Sequence, residues 1–187
     1  MRLRVLFSAQ HASAHLPSKS AALATGNSIY QRAKPLSGPK EDVRVVAAAL
    51  QAVGFRLSGG AALVDLNRAG LDRAFQQFGR DIADADVAFV YYAGHAVQFH
   101  GSSFLGPVDA AVSKEADLDS QTLHVGPQQQ LESSSSRLNM LVLDACHSNP
   151  FEDHGLMGSS QAWRRSIRPR TRCVLCRAAG YGRARHV

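Results

Sequence analysis

Cysteine is scarce in this chain, with Cys146, Cys173 and Cys176 the only three among 187 residues. An odd number without framework spacing cannot supply the internal bridges that hold a small secreted scaffold, so a hydrophobic core must do that work. A reducing, cytoplasmic setting is expected. Long apolar runs are missing too. No stretch approaches the ~18 apolar residues of a membrane-spanning helix. Residues 1–7 carry a basic start, but Ser8, Gln10 and His11 interrupt them too soon for a secretory signal. No membrane partner is expected. There is no internal repeat, and the one low-complexity tract is Ser133-Ser134-Ser135-Ser136, which reads as a loop.

The charge is one-sided only in part of the chain. The net +6 invites a nucleic-acid reading, yet residues 1–150 hold 13 basic and 13 acidic side chains. The excess lies in residues 151–187, where eight arginines face Glu152 and Asp153. A neutral body with an arginine-rich end, and no nucleic-acid motif, argues against a groove that follows phosphates. No nucleic-acid partner is expected; a basic-tail binder would show affinity that falls steeply with salt.

What is present suits one globular domain. The 45% hydrophobic content over this length is enough for a real core. Residues 1–19 read as a loose polar extension, 20–157 as the folded domain and 158–187 as a basic tail. Residues 21–25 form a candidate strand. Val43, Val46, Ala47 and Leu50 then recur at helical spacing behind Glu41 and Asp42, acids that suit a helix amino end. Gly54-Phe55-Arg56-Leu57 reads as a second strand. Leu71, Phe75, Phe78 and Ile82 give a second amphipathic helix starting near Asn67. Residues 125–131 are a weaker helix candidate. Strands alternating with helices argue for an α/β fold with a mainly parallel sheet and helices on its faces.

Two apolar runs end in reactive side chains. Val87-Ala88-Phe89-Val90-Tyr91-Tyr92-Ala93-Gly94-His95 and Met140-Leu141-Val142-Leu143-Asp144-Ala145-Cys146 each read as a buried strand that stops at a small residue and then presents an imidazole or a thiol. Ligand-handling groups in parallel sheets sit at the carboxyl ends of strands, so adjacency of these two would pair a nucleophile with its acid/base partner. The competing assignments are a buried structural cysteine and a hydrogen-bonded structural histidine.

Four blocks in order decide between these. Leu23-Ala24-Thr25-Gly26-Asn27-Ser28-Ile29-Tyr30, Tyr91-Tyr92-Ala93-Gly94-His95, Phe104-Leu105-Gly106-Pro107-Val108-Asp109-Ala110 and Leu143-Asp144-Ala145-Cys146-His147-Ser148-Asn149-Pro150-Phe151 resemble the bacterial metacaspase-like branch of the caspase-fold cysteine peptidases. Glu41-Asp42-Val43 resembles the acidic start of that family's first helix. The resemblance covers about residues 20–151. Caspases place the histidine about 50 residues before the cysteine; here the separation is 51.

The resemblance implies a caspase-like α/β/α sandwich and a cysteine endopeptidase acting on polypeptides. His95 and Cys146 would form the dyad. The backbone N–H groups of Ala96 and Cys146 would hold the oxyanion. Asp144, with Asp42 as a second acidic wall, would line the pocket for the residue before the cut and select Arg or Lys, since a carboxylate attracts a cation and rejects an anion. As a helix amino-terminal acid, Asp42 has an equally good structural explanation. Relatives usually carry glycine where this chain has Ala96; the methyl penalises positive φ and adds bulk beside the substrate carbonyl.

Other features are assigned less. Asp109 is expected to cap backbone groups in its turn, and neither His100 nor His147 is given a catalytic role. Cys173-Val174-Leu175-Cys176 with His186 falls short of a four-ligand zinc site, and no calcium-loop motif is visible. Acyl transfer needs no cofactor, and none is expected. Residues 158–187 show no alternating apolar run of strand length, so the sheet is expected to lack the family's C-terminal strands and to end at the Cys146 strand, as in a truncated or frame-shifted reading of a longer gene. Ala96 and that missing portion favour an alternative, a catalytically weak or inactive caspase-fold interaction or scaffold module. If the enzyme cuts after basic residues, Arg164-Arg165 is a self-cleavage candidate. The oligomeric state is left open.

Overall fold

The computed structural model describes residues 19–99, 102–125, 136, 138–146 and 171–178. The expectations placed on residues 1–18, on His100, on 126–135, on 147–170 with Arg164-Arg165, and on His186 lie outside these. Chain order is β1 (Ser20–Gly26), α1 (Pro39–Ala52), β2 (Arg56–Leu57), β3 (Leu63–Val64), α2 (Arg68–Asp81), β4 (Val87–Phe99), β5 (Ser102–Leu105), α3 (Leu118–Gln121), β6 (Leu123–Val125), β7 (Leu138–Cys146) and β8 (Thr171–Ala178). Val125, taken from sequence as the start of a helix, is instead the last residue of a strand.

The sheet is mainly parallel at its centre. β1 pairs in parallel with β2, β3 and β4, and β4 pairs in parallel with β7. Period two sorts the side chains into two layers. Ala21, Leu23, Ala88, Val90, Tyr92, Leu141 and Leu143 face α2, whose Leu71, Ala74, Phe75 and Phe78 are buried against them. Ala22, Ala24, Val87, Tyr91 and Ala93 face α1 with Val43, Ala47 and Leu50. This is the α/β/α sandwich expected from the alternation of periods.

Helix starts have local causes. Asn67 caps α2 by accepting from the Gly70 N–H at 2.8 Å, and Asp109 Oδ1 accepts from the Arg68 N–H at 2.8 Å. Two of the helix's free amino-end donors are thereby satisfied. Asp109 is a capping residue, as its turn position implies. α1 begins with Pro39, whose fixed φ and missing N–H suit a first turn.

β4 is the longest strand among the described residues and belongs to two pairings. Val87–Ala93 runs beside β1, and Ala96–Phe99 continues as an antiparallel ladder with β5, which pairs in turn with β6. Gly94 and His95 occupy the hand-over.

The expectation that the sheet ends at the cysteine strand is corrected. β8 pairs antiparallel with β7 along its length, Leu138 opposite Ala178 and Ala145 opposite Thr171. The arginines at 172 and 177 interrupt the apolar pattern and hide a strand that Val174 and Leu175 support.

Candidate active site

The carboxyl ends of β1, β4 and β7 meet at one rim of the sheet. The β4–β7 register sets Ala93 opposite Asp144, Gly94 opposite Ala145 and His95 opposite Cys146. The two residues singled out by sequence therefore have facing backbones on adjacent parallel strands.

His95 is held at every backbone group. Its N–H donates to Tyr30 Oη at 2.8 Å, and its carbonyl accepts from the Gly106 N–H at 2.9 Å. Tyr92 Oη lies 2.8 Å from the same carbonyl and 2.9 Å from the Gly106 carbonyl, its one hydrogen shared between them. The imidazole packs on the Tyr30 ring with centroids 4.4 Å apart. Nε2 is 2.8 Å from the Lys34 carbonyl. A carbonyl only accepts, so Nε2 carries the hydrogen and Nδ1 keeps a lone pair. Nδ1 is buried without a partner among the described residues. Burial lowers the His95 pKa more than the Lys34 bond raises it, so the ring favours its neutral form.

Gly94 has a specific steric reason. Its φ is +153°, and a Cβ there would stand 2.6 Å from Tyr30 Oη and 2.7 Å from Tyr92 Oη. Both hydroxyls remain protonated: burial pushes Tyr30 up to about 12 and Tyr92 well above its ordinary value.

Below this layer lies Asn27, fully buried. Its backbone N–H donates to the Ala93 carbonyl at 2.9 Å, its Nδ2 to the Gly106 carbonyl at 3.0 Å, and its Oδ1 accepts from the Leu66 N–H at 2.8 Å. One amide thus joins the ends of β1 and β5 to the segment before α2. Asp65 supports the following loop. Its Oδ1 accepts from the N–H groups of Ser28 and Ile29 at 2.7 and 3.0 Å, and its Oδ2 pairs with Lys40 at 2.8 Å. Burial raises its pKa, but the bonds from Lys40, Ser28 and Ile29 outweigh that and hold it below the usual carboxylate range.

Asp144 falls in the series Met140, Val142 on the α1 side, and its Oδ2 accepts from Tyr91 Oη at 3.2 Å. Asp42 is exposed in the first turn of α1, with its carboxylate beside Gly38. The carboxyl end of β1 abuts that turn, since a Cβ on Gly26 would meet the Pro39 carbonyl at 2.4 Å. The two acids therefore share a face and an end of the sheet, and no bond between them is found among the described residues.

Ala96 departs from expectation. Among the described residues the one non-glycine with positive φ is Asp65, at 51°, so the Ala96 methyl meets no left-handed backbone. That methyl is buried in the α2-side cluster with Leu105, Leu123 and Ala145. In the Ala96–Leu105 pair the ladder bond runs from the Gly106 N–H to the His95 carbonyl, so the Ala96 N–H faces away from β5.

Sequence reasoning did not single out Tyr30, Tyr92, Asn27, Asp65 or the Lys34 carbonyl. The available signal was polarity out of place: an asparagine directly after an all-buried strand, and tyrosines beside Gly94-His95.

Among the described residues no group of three or more His, Cys, Asp and Glu could hold a metal ion, and no helix is long and apolar enough to cross a membrane.

The architecture is the caspase-type α/β sandwich. The family model for the caspase domain matches residues 19–179, and the chain belongs to the caspase family, with a cysteine-peptidase-type fold. It is also similar to the mucosa-associated lymphoid tissue lymphoma translocation protein 1 of Homo sapiens, 28% identical over 135 residues. That alignment covers 71% of this chain and 16% of the human protein's length.

Proposed function

We propose that the chain is a cysteine endopeptidase of metacaspase type that cuts after Arg or Lys. The observation that carries this reading is the β4–β7 register, with His95 opposite Cys146, combined with an imidazole whose Nε2 is engaged and whose Nδ1 lone pair has no partner among the described residues. In the mechanism, Nδ1 takes the Cys146 thiol proton as sulfur attacks the scissile carbonyl. The same nitrogen then delivers that proton to the leaving amine, giving an acyl-enzyme. Water attacks the thioester with His95 as base and frees the acid product and the thiol.

The N–H groups of Ala96 and Cys146 serve the oxyanion, and a methyl directed into the core leaves that role sterically open. Asp144, oriented by Tyr91, forms the floor of the pocket for a basic side chain, with Asp42 as an outer wall. A thiol nucleophile suits a reducing, cytoplasmic setting. The arguments for a non-catalytic module were Ala96 and the missing C-terminal strands; the buried methyl and the presence of β8 weigh against it.

The test is hydrolysis of matched fluorogenic peptides ending in Arg, Lys or Asp, with Cys146→Ala as control. Turnover of the basic peptides alone, abolished in Cys146→Ala, is expected. Equal turnover of the Asp peptide would overturn the acidic pocket, and activity surviving in Cys146→Ala would overturn the nucleophile.

A further inference from the structure

Asp65 occupies a left-handed backbone position, φ 51°, which glycine would fill without strain and which Asp or Asn tolerates better than other side chains. Its carboxylate divides its work. Oδ1 takes two consecutive backbone N–H groups, Ser28 and Ile29, while Oδ2 is anchored by Lys40 from the first turn of α1. Those N–H groups begin the loop that carries both groups bonded to the His95 ring nitrogen and amide, the Lys34 carbonyl and the Tyr30 hydroxyl, while the Gly106 N–H holds its carbonyl from the end of β5. Other ties of the loop among the described residues are neutral, including those from the Gln31 N–H to the Val108 carbonyl, from the Leu36 N–H to the Ser28 carbonyl and from the Lys40 N–H to Ser28 Oγ.

We propose that Asp65 is a positioning residue for His95: by fixing Ser28 and Ile29 it sets the loop so that the Lys34 carbonyl holds Nε2–H and leaves Nδ1 as the basic nitrogen. The kinetic part of this inference rests on the peptidase reading above; the tautomer part does not. A neutral imidazole released from Lys34 would distribute its hydrogen between both nitrogens, and the fraction with hydrogen on Nδ1 cannot accept a thiol proton there.

The experiment compares Asp65→Asn and Asp65→Gly in the full chain by 15N NMR of the His95 ring, with kinetics on a basic peptide alongside. Asparagine keeps an acceptor oxygen and tolerates the same φ; glycine relieves the backbone and removes the acceptor. The wild type and Asp65→Asn are expected to show the Nε2–H tautomer, and Asp65→Gly a mixture. Misplacement of this kind lowers kcat by about 10–100-fold with KM little changed in Asp65→Gly, and less than about 5-fold in Asp65→Asn. A wild-type tautomer and kcat in Asp65→Gly, or a mixture in Asp65→Asn equal to that in Asp65→Gly, would overturn the proposal. Should Asp65→Gly fail to fold, Asp65→Ala decides: it too removes the acceptor for the Ser28 and Ile29 N–H groups, and an unshifted ring spectrum there counts against the assignment. Were no variant to cleave any peptide, the peptidase reading would fail while the NMR still judged the loop.

Discussion

The middle of the sheet and its carboxyl rim are built from different forces. Between β1 and β4 the contacts are apolar and the side chains small, Ala21, Ala22, Ala24 and Ala88, so both helices close onto a flat surface. At the rim Asn27, Tyr30, Tyr92 and His95 are just as buried but polar, and each is tied by named hydrogen bonds. Burial of apolar surface is non-directional and tolerates adjustment. Buried polar groups fix geometry, because a donor without its acceptor costs the full desolvation penalty. The middle should therefore govern stability with little effect on chemistry, and the rim the reverse.

Leu23→Ala probes the middle and carries the largest stability effect. Leu23 is fully buried against the α2 layer, and such truncations cost about 2–5 kcal/mol. Urea unfolding should show that loss, while kcat of the folded protein on a basic peptide stays near wild type. A fall in kcat matching that of a rim variant would dissolve the distinction between the two regions.

Tyr30→Phe probes the rim with a single oxygen. The ring still packs on His95, but the His95 N–H loses its acceptor, a cost of about 1–3 kcal/mol. A smaller stability loss than Leu23→Ala with a larger loss of kcat is expected. Unchanged kcat would mean that Gly94 and the neighbouring ladder hold the imidazole without Tyr30.

The same division explains what could be read from the sequence. α1 and α2 were visible because their buried residues recur at helical spacing, and β1, β4 and β7 because apolar runs of strand length end at glycine or a polar residue. His95, Cys146 and Asp144 were visible because they close such runs inside recognisable blocks. The rim's other members were not, since Asn27 and Asp65 act through long-range bonds to backbone groups at Leu66, Gly106 and Ser28, and no local period records a partner 30 to 80 positions away. A backbone carbonyl such as that of Lys34 has no sequence signature at all. β3 and β8 escaped for separate reasons: one is two residues long, and the other carries arginines in its pattern.

The smallest effect expected is a pH dependence confined to the rim. The folded-state pKa of His95 lies below its unfolded value because burial disfavours the imidazolium. A group with that sign contributes stability that is complete above the unfolded value of about 6.5 and is lost as pH falls from there through the folded value. The tyrosines around it do not titrate in this window, with Tyr30 pushed up to about 12 and Tyr92 well above its ordinary value. Asp65, held below the usual carboxylate range, titrates on the acid side of it. The comparison to make is unfolding free energy at pH 7.5 and pH 5.5 for the wild type and His95→Gln, whose amide can still donate to the Lys34 carbonyl but cannot be protonated. Other groups contribute equally to both proteins, so the wild type should lose more on acidification than the variant. Equal losses would show that the imidazolium is accommodated at the rim, and would place the neutral ring, on which the proposed proton transfer depends, in question.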